Sequence, residues 1–264
     1  MRRRFFVDEF ENAVAVMRGE AAHHLSRVLR AERGQLYELS DGQSVWLARI
    51  EDVARDSVEF ALLERIPAHV PPLRISLLLA VVKFDRFEWA LEKATELGVD
   101  EVVPLAADRS EKGLIVASAK RAERWKKILV ESAQQSRRLS VPVLHDAAKP
   151  SDVFDSTKAH ARLLLSERAG ATAMRELLEP ASKTVLSGEI LNLAIAIGPE
   201  GGWTDAEFVS ALHAGFSEAA LGVNILRTET AVCAALAAAQ YACGAFRQAD
   251  GTQDLRKTLE AGQV

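Results

Sequence analysis

Two short stretches combine residues that could do chemistry. The first, IGPEGGWTDAEF (197–208), places a carboxylate, Glu200, inside a loop built on Gly198, Gly201 and Gly202. The second, LGVNILRTETA (221–231), groups Arg227, Thr228, Glu229 and Thr230 just ahead of an alanine-rich segment. Apolar run, glycine loop and helix start is the layout that commonly cradles a phosphate. Yet a P-loop needs GxxxxGK[ST] and a dinucleotide site needs GxGxxG, and the chain contains neither. Glu200, with no cation in its own loop, disfavours a phosphate on Coulomb grounds. Glycines at 201 and 202 permit close backbone approach by a neutral or cationic ligand instead.

The second loop adds acid–base and electrostatic capacity. Thr228 or Thr230 can cap the helix that follows, and Glu229 in its first turn complements the helix dipole. Those residues therefore have structural readings as well as functional ones. Arg227 is a cation beside a helix N-terminus, where the dipole disfavours it. Capping does not explain it.

Both loops need strands and helices to hold them. From residue 73 onward the pattern predicts strand 75–82, helix 86–97 closed by Gly98, strand 100–105 and a basic helix 118–136. Strand 162–166, helix 172–179, strand 192–197, helix 204–214, strand 218–221 and helix 228–245 follow. Thr204 with Glu207 forms a capping-box pattern for the helix at 204. Alternation of this kind means an α/β fold with a mostly parallel sheet covered on both faces. Ligands in such sheets bind beyond the carboxyl ends of the strands, where LLLSERAG (163–170) joins the two loops above. The first 66 residues read as five short strands, 4–7, 13–17, 35–39, 44–50 and 57–63, with an Asp41-Gly42 turn. One helical stretch, 19–30, turns Leu25, Val28 and Leu29 inward, so a small β-barrel with one helix is expected. IPAHVPP (66–72) reads as the linker.

Composition narrows the classes. The 264 residues are 48% apolar and 27% charged, as in a soluble globular protein. The longest apolar runs, such as ISLLLAVV (75–82), are too short to span a bilayer, so no membrane partner is expected. MRRRFFVDEF lacks the apolar stretch of a signal peptide, which predicts a cytoplasmic protein. Cys233 and Cys243 have no metal-ligand spacing, so they read as buried thiols and no metal is expected. The net charge of −4 conceals a basic stretch: residues 118–138 hold seven Lys and Arg against two Glu. Lys120, Arg124 and Lys127 fall on one face of the predicted helix, either as a solvated surface or as a phosphate-contacting stripe.

The pairing of IGPEGG with LG..ILRTETA closely resembles the bacterial 16S ribosomal RNA uridine-N3 methyltransferases, members of the SPOUT (trefoil-knotted) superfamily. The resemblance continues, in order, through RRFFV, HHLSRVLR (23–30), KFDRFEWALEKATELGVDEVVPLAADRS (83–110) and QQSRRLSVP (134–142). It implies a PUA-like RNA-binding β-barrel at 1–70, a SPOUT methyltransferase domain at 73–246 with its knot in about 160–246, and a polar tail at 247–264. The implied cofactor is S-adenosylmethionine, a sulfonium cation without phosphate. The implied reaction is methylation of N3 of one uridine, position 1498, of 16S RNA in the assembled small ribosomal subunit. A homodimer through the C-terminal domain is implied as well.

Carried over by position, the cofactor pocket comprises Leu165, Ser166, Gly198, Glu200, Gly201, Gly202, Leu221, Gly222, Ile225, Leu226 and Thr228. Uridine N3 carries an imide proton, so a base must act and charge developing on O2 or O4 needs a donor. Glu229 is the candidate base with Glu200 second, and Arg227 is the candidate donor or phosphate clamp. RNA contact falls to Arg2, Arg3, Arg4, His24, Arg27, Arg30, Lys120, Arg124, Lys127, Arg137 and Arg138. Gln134 stands where the family commonly carries an acid, and is left out of the catalytic set. Two alternatives stay open: a SPOUT enzyme acting on another RNA position such as a ribose 2′-hydroxyl, and a non-catalytic RNA-binding assembly factor.

Overall fold

The computed structural model describes residues 3–68, 70–186 and 188–243. The polar tail expected at 247–264, and Arg2, lie outside the described residues.

The N-terminal part builds one five-stranded sheet from β1 (Arg4–Phe6), β2 (Val14–Arg18), β3 (Leu36–Ser40), β4 (Val45–Val53) and β5 (Ser57–Ile66). The strand order is β1-β3-β4-β5-β2, with β1 parallel to β3 and the other pairs antiparallel. Alternation sends Phe5, Leu39, Ile50, Val58 and Phe60 into one apolar cluster. The Asp41-Gly42 turn forms as its residues dictate. Asp41 Oδ1 accepts from the amides of Gln43 (2.8 Å) and Ser44 (2.7 Å), and Gly42 takes φ +85°.

The helix expected over 19–30 is shorter and changes pitch. Helix α1 (Gly19–His23) runs into a single π-helical turn, His24–Val28, and Arg30 adopts φ +50° beyond it. The wider turn rotates the faces away from a 3.6-residue period. Leu25 is fully buried as expected, but Val28 is 66% exposed rather than inward.

A seven-stranded sheet follows, and every pair in it is parallel. Its strands are β6 (Leu73–Ala80), β7 (Glu101–Leu105), β8 (Val143–Leu144), β9 (Ala161–Leu165), β10 (Thr172–Ala173), β11 (Leu191–Ile197) and β12 (Ser217–Ala220). They run in the order β10-β12-β9-β11-β6-β7-β8. The central strands have two buried faces of unequal bulk. Leu191, Leu193, Ile195 and Ile197 of β11 face one cluster, and Ala194 and Ala196 face the other. The bulky face is covered by α2 (Phe84–Glu96), α4 (Ala122–Gln135), α6 (Met174–Leu186) and α8 (Thr228–Ala242), through Phe87, Trp125, Leu178 and Leu236. The alanine face is covered by α5 (Pro150–Ser156) and α7 (Asp205–His213), through Phe154 and Ala211.

Three expectations need correction. The basic helix expected over 118–136 opens as a 3₁₀ turn (Ala119–Arg121) before α4, and α3 (Lys112–Ser118), which the pattern did not show, precedes it. The segment read as helix 172–179 starts as the short edge strand β10, and its helix α6 then runs to Leu186 through Pro180. Both β8 and α5 escaped the pattern, being only two and seven residues long.

The two sheets meet at a hydrogen-bonded seam. Arg4 pairs with Glu38 at 2.9 Å and donates to the carbonyls of Arg137 (2.6 Å) and Arg138 (3.2 Å). Ser40 Oγ donates to the Leu139 carbonyl at 2.6 Å.

Gly98 ends α2 at φ +91°, and a Cβ there would lie 2.6 Å from Gln240 Nε2, which itself donates to the Leu97 carbonyl. Gly98→Ala should therefore cost on the order of 1–3 kcal/mol of stability, read as a lower urea midpoint. Gly113→Ala, inside α3 with nothing within 4 Å of the added methyl, should leave the midpoint unchanged or raise it.

Candidate active site

A parallel sheet delivers its C-terminal loops to one edge, and here three of them close around one cavity. The loop after β9 supplies Leu165, Ser166 and Glu167. The loop after β11 supplies Gly198, Pro199, Glu200, Gly202 and Trp203, and the loop after β12 supplies Leu221 through Leu226, with Thr228 and Ala231 of α8 below. The walls are backbone and apolar side chains, with two carboxylates and no Lys, Arg or His among the lining residues.

Specific bonds tie the loops together. Trp203, 5% exposed, donates its indole N–H to the Leu165 carbonyl at 3.0 Å. The ring packs under Gly198, where a Cβ would come within 3.1 Å of it. Thr228 Oγ1 donates to the Gly198 carbonyl at 3.2 Å. Thr228 thus serves the glycine loop, not the cap expected of it. Arg227 is the N-cap residue of α8, and no side chain caps that helix. Pro199 to Gly202 form a turn closed by a 2.8 Å bond between the Gly202 amide and the Pro199 carbonyl, with Gly202 at φ +70°.

Behind the glycine loop, the capping box of α7 forms with both of its reciprocal bonds. Glu207, 7% exposed, also accepts from the Asp108 amide at 2.8 Å, which fastens the segment after β7 to the start of α7. Arg168 pairs with Asp205 at 2.6 Å and stacks over Phe208 at 4.1 Å.

Of the residues assigned to the cofactor, all but Gly201 line this cavity. Gly201 faces outward: its added Cβ would lie 3.3 Å from Arg109 Cβ, and its carbonyl accepts from Arg109 Nη1 at 2.7 Å. Glu200 lines the wall, and the expectation that it lacks a cation is corrected. Arg86 donates to Glu200 Oε1 at 2.9 Å, and its Nε lies 3.9 Å from Glu229 Oε1. Glu229 stands beside the wall, its side chain 15% exposed and its Oε2 buried without a hydrogen-bond partner among the described residues. Arg227 is exposed between the lining residues Leu226 and Thr228, and engages no described side chain. Sequence reasoning missed Arg86, which sits in the quoted KFDRFEW block but 114 residues from its partner.

The expected RNA-contacting residues divide. Arg4 (13% exposed) and Arg138 (13%) are spent inside the protein: Arg4 on the seam above, Arg138 on the Thr95 carbonyl and Asp100. Burial lowers the Arg138 pKa. Arg124 pairs with Glu88 of α2 at 2.8 Å, and its side chain stays 61% exposed on the same helix as Lys127. Arg3, Arg27, Arg30, Lys120, Lys127 and Arg137 remain exposed. A groove between α1 with its π turn and α4 is lined by His23, His24, Arg27, Lys126 and Lys127 and also by Glu20, Glu123 and Glu131, both signs on each side. Gln134 lines this groove and not the cavity. Cys243 is buried as expected, but Cys233 only half so, and both are free thiols. Among the described residues no helix is long and apolar enough to cross a membrane, and no His, Cys, Asp and Glu cluster could hold a metal.

Comparison with known proteins agrees with this geometry. The family described as RNA methyltransferase domain matches residues 69–240. The chain is 33% identical over 219 residues to ribosomal RNA small subunit methyltransferase E of Synechocystis sp., covering 81% of this chain and 69% of that protein. It is 32% identical to the protein of the same name from Mycobacterium bovis, covering 89% of each. A solved structure of ribosomal RNA small subunit methyltransferase E from Neisseria gonorrhoeae, bound to S-adenosyl methionine, superposes with a TM-score of 0.80 at 29% identity, over 91% of this chain and 98% of that one. The chain belongs to the family of bacterial ribosomal RNA small subunit methyltransferases E.

Proposed function

We propose that this protein transfers the methyl group of S-adenosylmethionine to N3 of a uridine in 16S ribosomal RNA of the small subunit, at the position the family resemblance implies. Family membership carries the coarser statement: the chain is an S-adenosylmethionine-dependent ribosomal RNA methyltransferase. The observation that supports the cofactor assignment is the cavity itself. Three loops distant in sequence meet there, and their glycine backbone, apolar walls and two carboxylates suit a sulfonium cation better than a polyphosphate.

The lining backbone of Leu165 and Gly198 and the side chains of Leu221, Ile225 and Leu226 would hold the cofactor. The cofactor supplies an electrophilic methyl group. This chain must remove the N3 proton and steady the uracil oxygens. Glu229 is the proposed base because one of its oxygens is buried and unengaged, with Glu200 second because it lines the cavity. Arg227, exposed at the cavity mouth, is the proposed donor to O2 or O4.

The finer architecture belongs to the same reading. We assign residues 1–70 as a PUA-like barrel for RNA grip, supported by the five-stranded sheet and the exposed Arg27 and Arg30. Residues 73–246 are the SPOUT domain, with a knot in about 160–246 supported by the crowding of the β9, β11 and β12 loops. A homodimer through this domain is supported by exposed Val223, Ile225 and Tyr241 beside the cavity and along α8. The alanines of α8 divide: Ala231, Ala235 and Ala239 are buried in the chain's own core, while Ala234, Ala238 and Ala242 are half-buried. A cytoplasmic location is part of the same proposal, supported by the ribosomal RNA substrate of the family.

Calorimetry should show binding of S-adenosylmethionine and S-adenosylhomocysteine but not of ATP or NAD. Gly202→Val should abolish that binding in a folded protein, because φ +70° resists a branched residue and its Cβ would meet Glu167 Oε1 at 3.0 Å. Unchanged affinity would remove the loop from the site.

Nucleoside analysis of small-subunit RNA from cells lacking the gene should show one N3-methyluridine missing. Loss of a 2′-O-methyl nucleoside instead would redirect the assignment to ribose chemistry, and an unchanged profile would favour an assembly factor.

Grip and chemistry should separate by salt. Arg27→Ala with Arg30→Ala should raise KM for small subunits and flatten its salt dependence by about one unit of slope per charge. Arg227→Ala should lower kcat roughly 10²–10³-fold, with no rescue at low salt. Identical salt responses would class Arg227 with the RNA-gripping arginines.

A further inference from the structure

Arg86 lies in the first turn of α2, directly after β6, and joins two segments far from it in sequence. Its Nη1 donates to Glu200 Oε1 at 2.9 Å, and its Nε lies 3.9 Å from Glu229 Oε1. The Arg86 side chain is 28% exposed and Glu229 15%, so that side of the cluster is partly withdrawn from water, while Glu200 is 43% exposed. A planar guanidinium can serve two carboxylates at once through separate N–H groups, whereas an ammonium is a point charge. Without the cation, two carboxylates are left facing each other. Residues 199–202 then keep, among the described side-chain bonds, only that from Arg109 to the Gly201 carbonyl.

We infer that Arg86 is a positioning residue for the cofactor loop, tying Glu200, and with it the Pro199–Gly202 turn, to the first turn of α8. The inference rests on the reading of this cavity as the S-adenosylmethionine site. Charge and position make opposite predictions. Removing a cation beside a cavity-lining carboxylate leaves the cavity more negative, which by itself would tighten a sulfonium ligand. Losing the loop's geometry weakens it instead. The direction of the change therefore identifies the cause.

The test is calorimetric titration of the purified full-length protein with S-adenosylmethionine, in the absence of RNA. Arg86→Gln should weaken binding about tenfold while the melting midpoint stays within a few degrees of wild type. Arg86→Lys, which keeps the charge and one donor, should recover part of the loss and also reports if the glutamine variant folds poorly. In a Glu200→Ala background the Arg86→Gln change should cost less than about twofold, because the acceptor on the loop is already gone. Wild-type or tighter binding by Arg86→Gln, or an equal loss in both backgrounds, would overturn the inference. A wild-type protein that binds the cofactor but leaves uridine N3 unmethylated would fail the functional reading alone. One that methylates uridine while Arg86→Gln binds normally would fail this inference alone.

Discussion

The bond from the Trp203 indole to the Leu165 carbonyl is the constraint on which the cavity depends. It joins the end of β9 to the loop after β11, two parallel neighbours whose connections travel separately around the sheet. A buried indole N–H without a partner would cost on the order of 1–3 kcal/mol, so the ring is fixed in place once the sheet forms. Its position then dictates residue 198. A Cβ there would crowd the ring at 3.1 Å, so glycine fits without displacing it, and the carbonyl of that glycine takes the Thr228 hydroxyl from α8. One aromatic side chain thus sets the spacing of three loops.

Much of this was legible in the sequence because it is local. The capping box of Thr204 and Glu207, the Asp41-Gly42 turn and the Gly98 and Gly215 helix ends are encoded within four residues, and all of them form. The central strands announced themselves as continuous apolar runs, as strands buried on both faces do. The failures are of the opposite kind. Nothing near Glu200 signals Arg86, and nothing near Thr228 indicates that its hydroxyl serves Gly198 rather than its own helix. Helical periodicity ran the basic segment as one helix from Ser118, although its first three residues beyond that point are tighter 3₁₀ helix that separates α4 from α3. The π turn after His23 likewise preserves the helix while changing which residues face inward.

Counting arginines overstated the free positive charge of the surface. Arg4 holds a carboxylate and two carbonyls at the seam between the sheets, and Arg138 holds the Thr95 carbonyl and Asp100 within the second part. Arg124, though exposed, answers Glu88. The groove between the π turn and α4 carries Arg27, Lys126 and Lys127 together with Glu20, Glu123 and Glu131. Mixed charge of this kind gives orientation as well as attraction, because a polyanion can approach only where the carboxylates stand aside.

The strand order has a consequence for synthesis. β6 is the first strand of the large sheet to leave the ribosome, and it lies inside the sheet, with a strand on either side. Its partner on one side, β7, follows almost at once. Its partner on the other side, β11, pairs Leu191 with Leu73, so roughly a hundred residues must be added before that edge is covered. At about 5–20 residues per second this leaves a Leu-rich edge unpaired for roughly 5–25 seconds in every molecule made. Such an edge is a template for other chains. The period between the emergence of β6 and β11 is therefore when this edge is open to wrong pairing.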